Sequence, residues 1–236
     1  LRRFTRKKDE RALAEMRIAT WNLERPKTLS QKNDLIRKKL EEIKADIWVL
    51  TETNDCICPG ERYKPYPSEP DLLHSKGEKR VTIWSKYPVI EEHKTFCSSK
   101  SVCVTVRNGR GRLVVYGTVV GVYGNREKSF LPDLENQVKD WKRIGGEIPL
   151  CIAGDFNVSF SDNYYFTHEG RNKIPACFAE LKIENLTYGI KDNIDHIAIS
   201  KSFLRSAKPT SSEWNLDKKK AIPRLSDHIG VSVDVG

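Results

Sequence analysis

Arg17-Ile18-Ala19-Thr20-Trp21-Asn22-Leu23 passes from alternation into a continuous apolar run, then meets the charged Glu24-Arg25-Pro26. That pattern predicts a short buried strand whose exit carries a polar side chain, Asn22. Beyond it, Leu35, Ile36, Leu40 and Ile43 recur at helical spacing, while Lys32, Arg37, Lys38, Glu41, Glu42 and Lys44 fill the other face. A helix over 29–45 is expected, with that apolar stripe turned inward. Asp46 to Thr51 reads as a second buried strand, and Glu52 stands at its carboxyl end. A strand, helix, strand unit with polar residues at both strand exits is the seed from which the rest of the fold is read.

Downstream, four prolines (Pro59, Pro65, Pro67 and Pro70) mark 53–79 as an irregular surface loop. Strands are expected over 81–84, 101–107 and 112–120, the last two joined as a hairpin by Asn108-Gly109-Arg110-Gly111. Phe130 to Ile144 predicts a helix with Leu131, Leu134, Val138, Trp141 and Ile144 inward, ended by Gly145-Gly146. A strand from Ile148 to Ala153 runs into Gly154-Asp155-Phe156-Asn157; further strands begin at Ile194-Asp195 and follow Ser226-Asp227-His228. The expected architecture is α/β, more narrowly α+β: two mixed sheets packed face to face with helices on both outer faces.

The chain has 236 residues and no composition shift, which bounds it to one large domain, 16–236, behind a basic extension over 1–15. That extension lacks the apolar core of a secretory signal. No apolar run approaches the roughly 20 residues that cross a bilayer, so a membrane-spanning helix is excluded. A net charge of +9 favours polyanionic partners, and nucleic acid is the first of these, helped by the basic runs Arg2-Arg3, Lys7-Lys8 and Lys218-Lys219-Lys220. Six dispersed cysteines without CxxC spacing suit a reduced, cytoplasmic protein; Cys56 and Cys58 are read as incidental. No obligate protein partner is implied.

The informative residues sit at strand ends: Asn22, Glu52, Asp155 with Asn157, Asp195, and Asp227 with His228. Any one of them is an ordinary turn former or cap. Brought to one rim they would concentrate carboxylates that repel one another unless a cation lay between them. The donor set is rich in oxygen and poor in His and Cys, so magnesium, with manganese second, fits better than zinc.

The ordered motifs Trp21-Asn22, Thr51-Glu52, Gly154-Asp155-Phe156-Asn157, Ile194-Asp195-His196 and Ser226-Asp227-His228 resemble the endonuclease/exonuclease/phosphatase superfamily, over about Met16 to Val235. The resemblance implies a four-layer sandwich and metal-assisted attack of water on phosphorus. It makes Glu52 the metal ligand, with Asn22 and Asp227 near the ion or its waters. Asp155 orients and deprotonates the water, Asn157 donates to the phosphoryl group, and His228, held by Asp195, contacts a nonbridging oxygen or acts as base. Tyr123 and Asn125 become the candidates for phosphate contact.

Abasic-site endonucleases of the superfamily carry a tryptophan shortly before the Asp195 position and often Gln at that of Thr51; both are missing here, which points away from abasic-site repair. Trp214 is expected in the core or on the rim. The leading expectation is a DNA-directed nuclease. A phosphatase or phosphodiesterase acting on RNA, nucleotides or phosphorylated small molecules is the second, and a noncatalytic nucleic-acid-binding module the third.

Overall fold

The structure is a computed structural model that describes residues 16–71, 74–121, 128–204, 208–217 and 224–236. Its first unit is β1 (Met16–Asn22), α1 (Lys32–Ile43) and β2 (Ile47–Asn54), followed by β3 (Lys64–Pro67) and β4 (Glu78–Ser85). Next come β5 (Val89–His93), β6 (Ser101–Asn108), β7 (Gly111–Val119), α2 (Phe130–Ile144) and β8 (Leu150–Asp155). The chain closes with α3 (His168–Glu180), β9 (Ile183–Asn185), β10 (Asp195–Ser200), β11 (Thr210–Trp214) and β12 (Gly230–Val235). Two six-stranded sheets result, ordered β11-β12-β1-β2-β4-β3 and β5-β6-β7-β8-β10-β9. Each is mixed, with one parallel pair (β1 with β2, β7 with β8) created by a strand, helix, strand crossover.

Period-two alternation builds the layers. On β2, Ile47 and Val49 point into the core between the sheets, where they meet side chains such as Val115, Ala153 and Ile197. Trp48 and Leu50 point the other way, under Ile36 and Leu40 of α1. On the second sheet Val114, Tyr116 and Ile152 face α2 and α3 through Leu134, Trp141, Ile174 and Phe178. Each fully buried aliphatic side chain contributes about 2 kcal/mol. The inward stripe of α1 is narrower than its spacing predicts: Leu35 is exposed, and Asn33 is buried instead. There the Asn33 amide donates to the carbonyls of Lys27 and Thr28 and so pins the loop before the helix. Trp214 is core, edge-on to both Trp21 and Trp48 at 5.9 and 5.8 Å. The region expected as a wholly irregular loop contains one short edge strand, β3, whose two prolines fit the edge of a sheet.

Two glycines fix how closely parts approach. A Cβ on Gly117 would lie 2.9–3.0 Å from side-chain carbons of Val49, Val81 and Ile83, so β7 rests directly on the opposite sheet. Gly154 (φ 136°) would place a Cβ 1.9 Å from the Thr118 carbonyl oxygen, against backbone that cannot yield. Gly154→Ala is therefore expected to cost at least about 3 kcal/mol, read as a lowered denaturation midpoint, because strain and overlap act together.

His196 is fully buried between Phe156 and Phe160, with Nε2 donating to the Val158 carbonyl and Nδ1 facing the Thr187 hydroxyl. Burial pushes its pKa down to about 4 from 6.5. The unfolded chain binds this proton below 6.5 and the folded one only below about 4, so His196 removes stability as pH falls through that window. The loss is on the order of 3 kcal/mol. A His196→Gln protein compared with wild type by urea unfolding should gain in relative stability as pH is lowered from 7 to 4.

Candidate active site

Strand register brings the predicted side chains to one rim. Asn22 lies opposite Thr51 in the parallel β1–β2 pair, so Asn22 and Glu52 leave the first sheet at the same edge. In the second sheet Asp155 ends β8 opposite Val119 of β7 and opposite Asp195, the first residue of β10. Two hydrogen bonds then cross from sheet to sheet. The Asn22 amide donates to Asp155 Oδ2 at 3.1 Å, and His228, just ahead of β12, donates through Nδ1 to Asp195 Oδ2 at 2.6 Å. Side chains of Asp155, Asp195 and His228 place one donor or acceptor atom each within 4.8 Å of one another.

Local turns hold each group. The Ser226 hydroxyl donates to the Asn22 carbonyl (2.6 Å) and accepts from the His228 amide (3.0 Å), tying the end of β1 to the histidine. Trp21 Nε1 and the Asn215 amide both donate to the His228 carbonyl. Asn193 bonds both the amide and the carbonyl of Asp195 through its side chain. The Asn157 amide N–H donates to Asp155 Oδ1 at 2.9 Å, and the Asn157 side chain donates to the Val120 carbonyl at 3.0 Å.

Charge is unevenly shared among these groups. Burial pushes the Asp155 pKa up to about 7; the His228 ring pulls it down, while the Asp195 and Glu52 carboxylates reinforce the rise. For His228 burial opposes protonation, yet the carboxylates of Asp195, Asp155 and Asp227 together outweigh it and raise the pKa to about 10. The ring is thus an imidazolium at neutral pH, with Nδ1 committed to Asp195 and Nε2 only 3.7 Å from Asp227. Asp195 Oδ1 is buried and has no hydrogen-bond partner.

The Endonuclease/Exonuclease/phosphatase family is matched by residues 19–228, most of the chain. This protein belongs to that family. Among solved structures it is similar to the endonuclease domain of TRAS1, a telomere-specific non-LTR retrotransposon, with TM-score 0.66 and 14% identity over 93% of this chain and 98% of that one. It is also similar to an endonuclease/exonuclease/phosphatase from Beutenbergia cavernae DSM 12333, with TM-score 0.67 and 17% identity over 94% of this chain and 72% of that one. A humanized D. rerio TDP2 gives TM-score 0.65 and 13% identity over 94% of this chain and 99% of that one. No curated protein matches the sequence. The two mixed sheets with flanking helices are the fold of these structures.

Within this family member, Asn22, Asp155, Asn157, Asp195 and His228 are joined by direct contacts or adjacent backbone at the rim. Glu52 stands apart from the tight acid–histidine cluster and pairs with Arg25, Nε to Oε2 at 3.2 Å and Nη2 to Oε1 at 3.4 Å. Asp227 is about half exposed. Tyr123, Asn125 and the runs Arg2-Arg3, Lys7-Lys8 and Lys218-Lys219-Lys220 lie outside the described residues. Reading the sequence assigns no role to Ser226, Asn193 or Arg25. For the first two a signal existed: Ser or Asn two residues before the group it supports is a local side-chain-to-backbone turn. Arg25 had none, since its partner Glu52 is distant in sequence. Also unforeseen is the buried Asp133, which accepts the Gly121 amide at 2.6 Å and pairs with Lys100, fixing the exit of β7.

Proposed function

We propose that the protein is a divalent-metal-dependent hydrolase of phosphodiester bonds in nucleic acid, with DNA the leading substrate. One observation carries this reading: Asp155 and Asp195 of one sheet and His228, just ahead of a strand of the other, converge at a rim with their polar atoms within 4.8 Å. Asp155, with a pKa near 7, suits a group that orients water and takes its proton. The imidazolium of His228 suits donation from Nε2 to a nonbridging phosphate oxygen as charge builds there, in preference to a role as base. Asn157 has a second amide hydrogen beyond the one given to Val120, available for the phosphoryl group.

The residues present fit a hard cation. Glu52, with Asn22 and Asp227 beside it, would hold the ion through oxygen donors alone, the set a hard cation prefers. The orphaned Asp195 Oδ1 offers a further buried acceptor to metal-bound water. Magnesium, or manganese in its place, when bound supplies Lewis-acid polarisation of a phosphoryl oxygen.

The DNA reading is supported by the +9 charge and by the likeness to an endonuclease domain of a telomere-specific element. We further read 16–236 as the catalytic domain and 1–15 as a basic extension on it. No helix among the described residues is long and apolar enough to cross a membrane, and all six cysteines are free, in keeping with a reducing cytoplasmic setting. The test is a panel of single-stranded, duplex and abasic DNA, RNA, nucleotides and phosphorylated small molecules, with magnesium or manganese and an Asp155→Ala control. Turnover confined to RNA or small esters overturns the DNA assignment. Asp155→Ala turnover equal to wild type overturns catalysis and leaves a binding module.

A further inference from the structure

The loop after β1 carries two consecutive residues in the left-handed region, Glu24 (φ 52°) and Arg25 (φ 48°), beside Glu52, itself at φ 42°. Residues with side chains adopt this conformation together only where their surroundings over-determine it. Here the restraints are explicit. Asn22 Oδ1 accepts from the Glu24 amide at 2.9 Å, and the Glu52 carbonyl accepts from the Arg25 amide at 2.8 Å. The turn sends the two side chains apart: Glu24 pairs with Arg224, while Arg25 lays its guanidinium across both oxygens of Glu52. Those contacts, 3.2 and 3.4 Å, are longer than the roughly 2.7–2.9 Å of a tight charge-assisted pair. Arg25 keeps 43% of its side chain exposed.

We infer that Arg25 is a resident counter-ion for Glu52, displaced when a divalent cation binds that carboxylate, after which its guanidinium grips a nonbridging oxygen of the substrate phosphate. The inference rests on the reading of Glu52 as the metal-holding residue. The guanidinium fork engages both oxygens of Glu52 and sets a positive charge where a hard dication would approach, so the two cations compete for one carboxylate and binding of the ion favours release of the arginine. The Arg25 backbone is pinned to Glu52, so the exchange needs only side-chain rotation, and the released group stays within reach of the rim. A planar fork of donors matches phosphate as well as carboxylate.

Calorimetric titration of Mg2+ and Mn2+ into substrate-free wild type, Arg25→Gln and Arg25→Lys tests the exchange. Removing both the competing fork and its positive charge should tighten metal binding by about tenfold in Arg25→Gln. The metal-free melting temperature of that variant should fall slightly. Arg25→Lys, which keeps the charge and loses the fork, should lie between. On a diester substrate at saturating metal, Arg25→Gln should raise KM by about tenfold and keep kcat within about threefold, the pattern of lost substrate binding. A folded Arg25→Gln protein whose metal affinity is unchanged or weaker overturns the inference, and if wild type still hydrolyses its substrate the active-site reading survives. A wild-type protein that binds no divalent ion takes both down.

Discussion

Asp155→Asn is expected to lower kcat by about a thousandfold or more while leaving the metal-free protein at least as stable as wild type, because the positioned base that we propose Asp155 to be is worth roughly 10²–10⁴ in rate. The pairing of lost activity with kept stability comes from burial. A carboxylate whose pKa is pushed up to about 7 is one the fold holds at a cost. Between the ordinary value near 3.8 and about 7 the folded chain binds more protons than the unfolded one, so in metal-free wild type this group makes stability fall as pH rises through that range. The amide has no such charge to bury. One loss offsets the gain: the new amide must accept from the Asn157 backbone, and its NH2 then meets the donor amide of Asn22. Thermal unfolding in chelator at pH 7 reads the balance, and a melting temperature well below wild type would sink it. Because His196 acts in the opposite sense over nearly the same pH range, the Asp155→Asn protein should also lose stability more steeply on acidification than wild type does.

Glu52→Gln has the second large effect. If Glu52 holds the cation, the variant should lose about 10²–10⁴ in metal-dependent turnover. It should also lose the thermal shift that the metal produces. At a hundredfold excess over Kd a bound ion stabilises the folded chain by about 2.7 kcal/mol, several degrees for a protein of this size. Differential scanning fluorimetry with and without magnesium checks this without any substrate. An unchanged shift in Glu52→Gln would move the cation elsewhere, the Asp155 and Asp195 carboxylates being the next donors in reach.

How much of this was legible beforehand follows from the range over which each signal acts. The strand from Arg17 to Leu23, the helix from Phe130 to Ile144 and the strand ends at Glu52, Asp155 and Asp195 are written in local periodicity, and the structure has them within a few residues. Edge strands β3, β5, β9 and β11 were missed because an edge strand is shaped by its one neighbour and is mostly polar, as Thr210–Trp214 illustrates. The exposure of Leu35 and burial of Asn33 are set by where the α1 loop docks, which helical spacing does not encode. At the rim, motif order picked out Asp155, Asp195 and His228, which the fold brings together. It could not give their ionisation, which depends on the packing of two sheets around Asp155 and His228, nor the guanidinium that the fold brings to Glu52.

The seat of Gly117 among Val49, Val81 and Ile83 reaches beyond packing. Those three branched side chains act as a key in a slot, opposing any glide of one sheet over the other. A glide of one residue, about 3.3 Å, would part Asn22 from Asp155 and His228 from Asp195 in a single movement. Catalytic competence is thereby tied to the alignment of the sandwich as a whole. Heating should abolish turnover at the temperature where the sheets lose mutual alignment, even if each still holds its own ladder of strands.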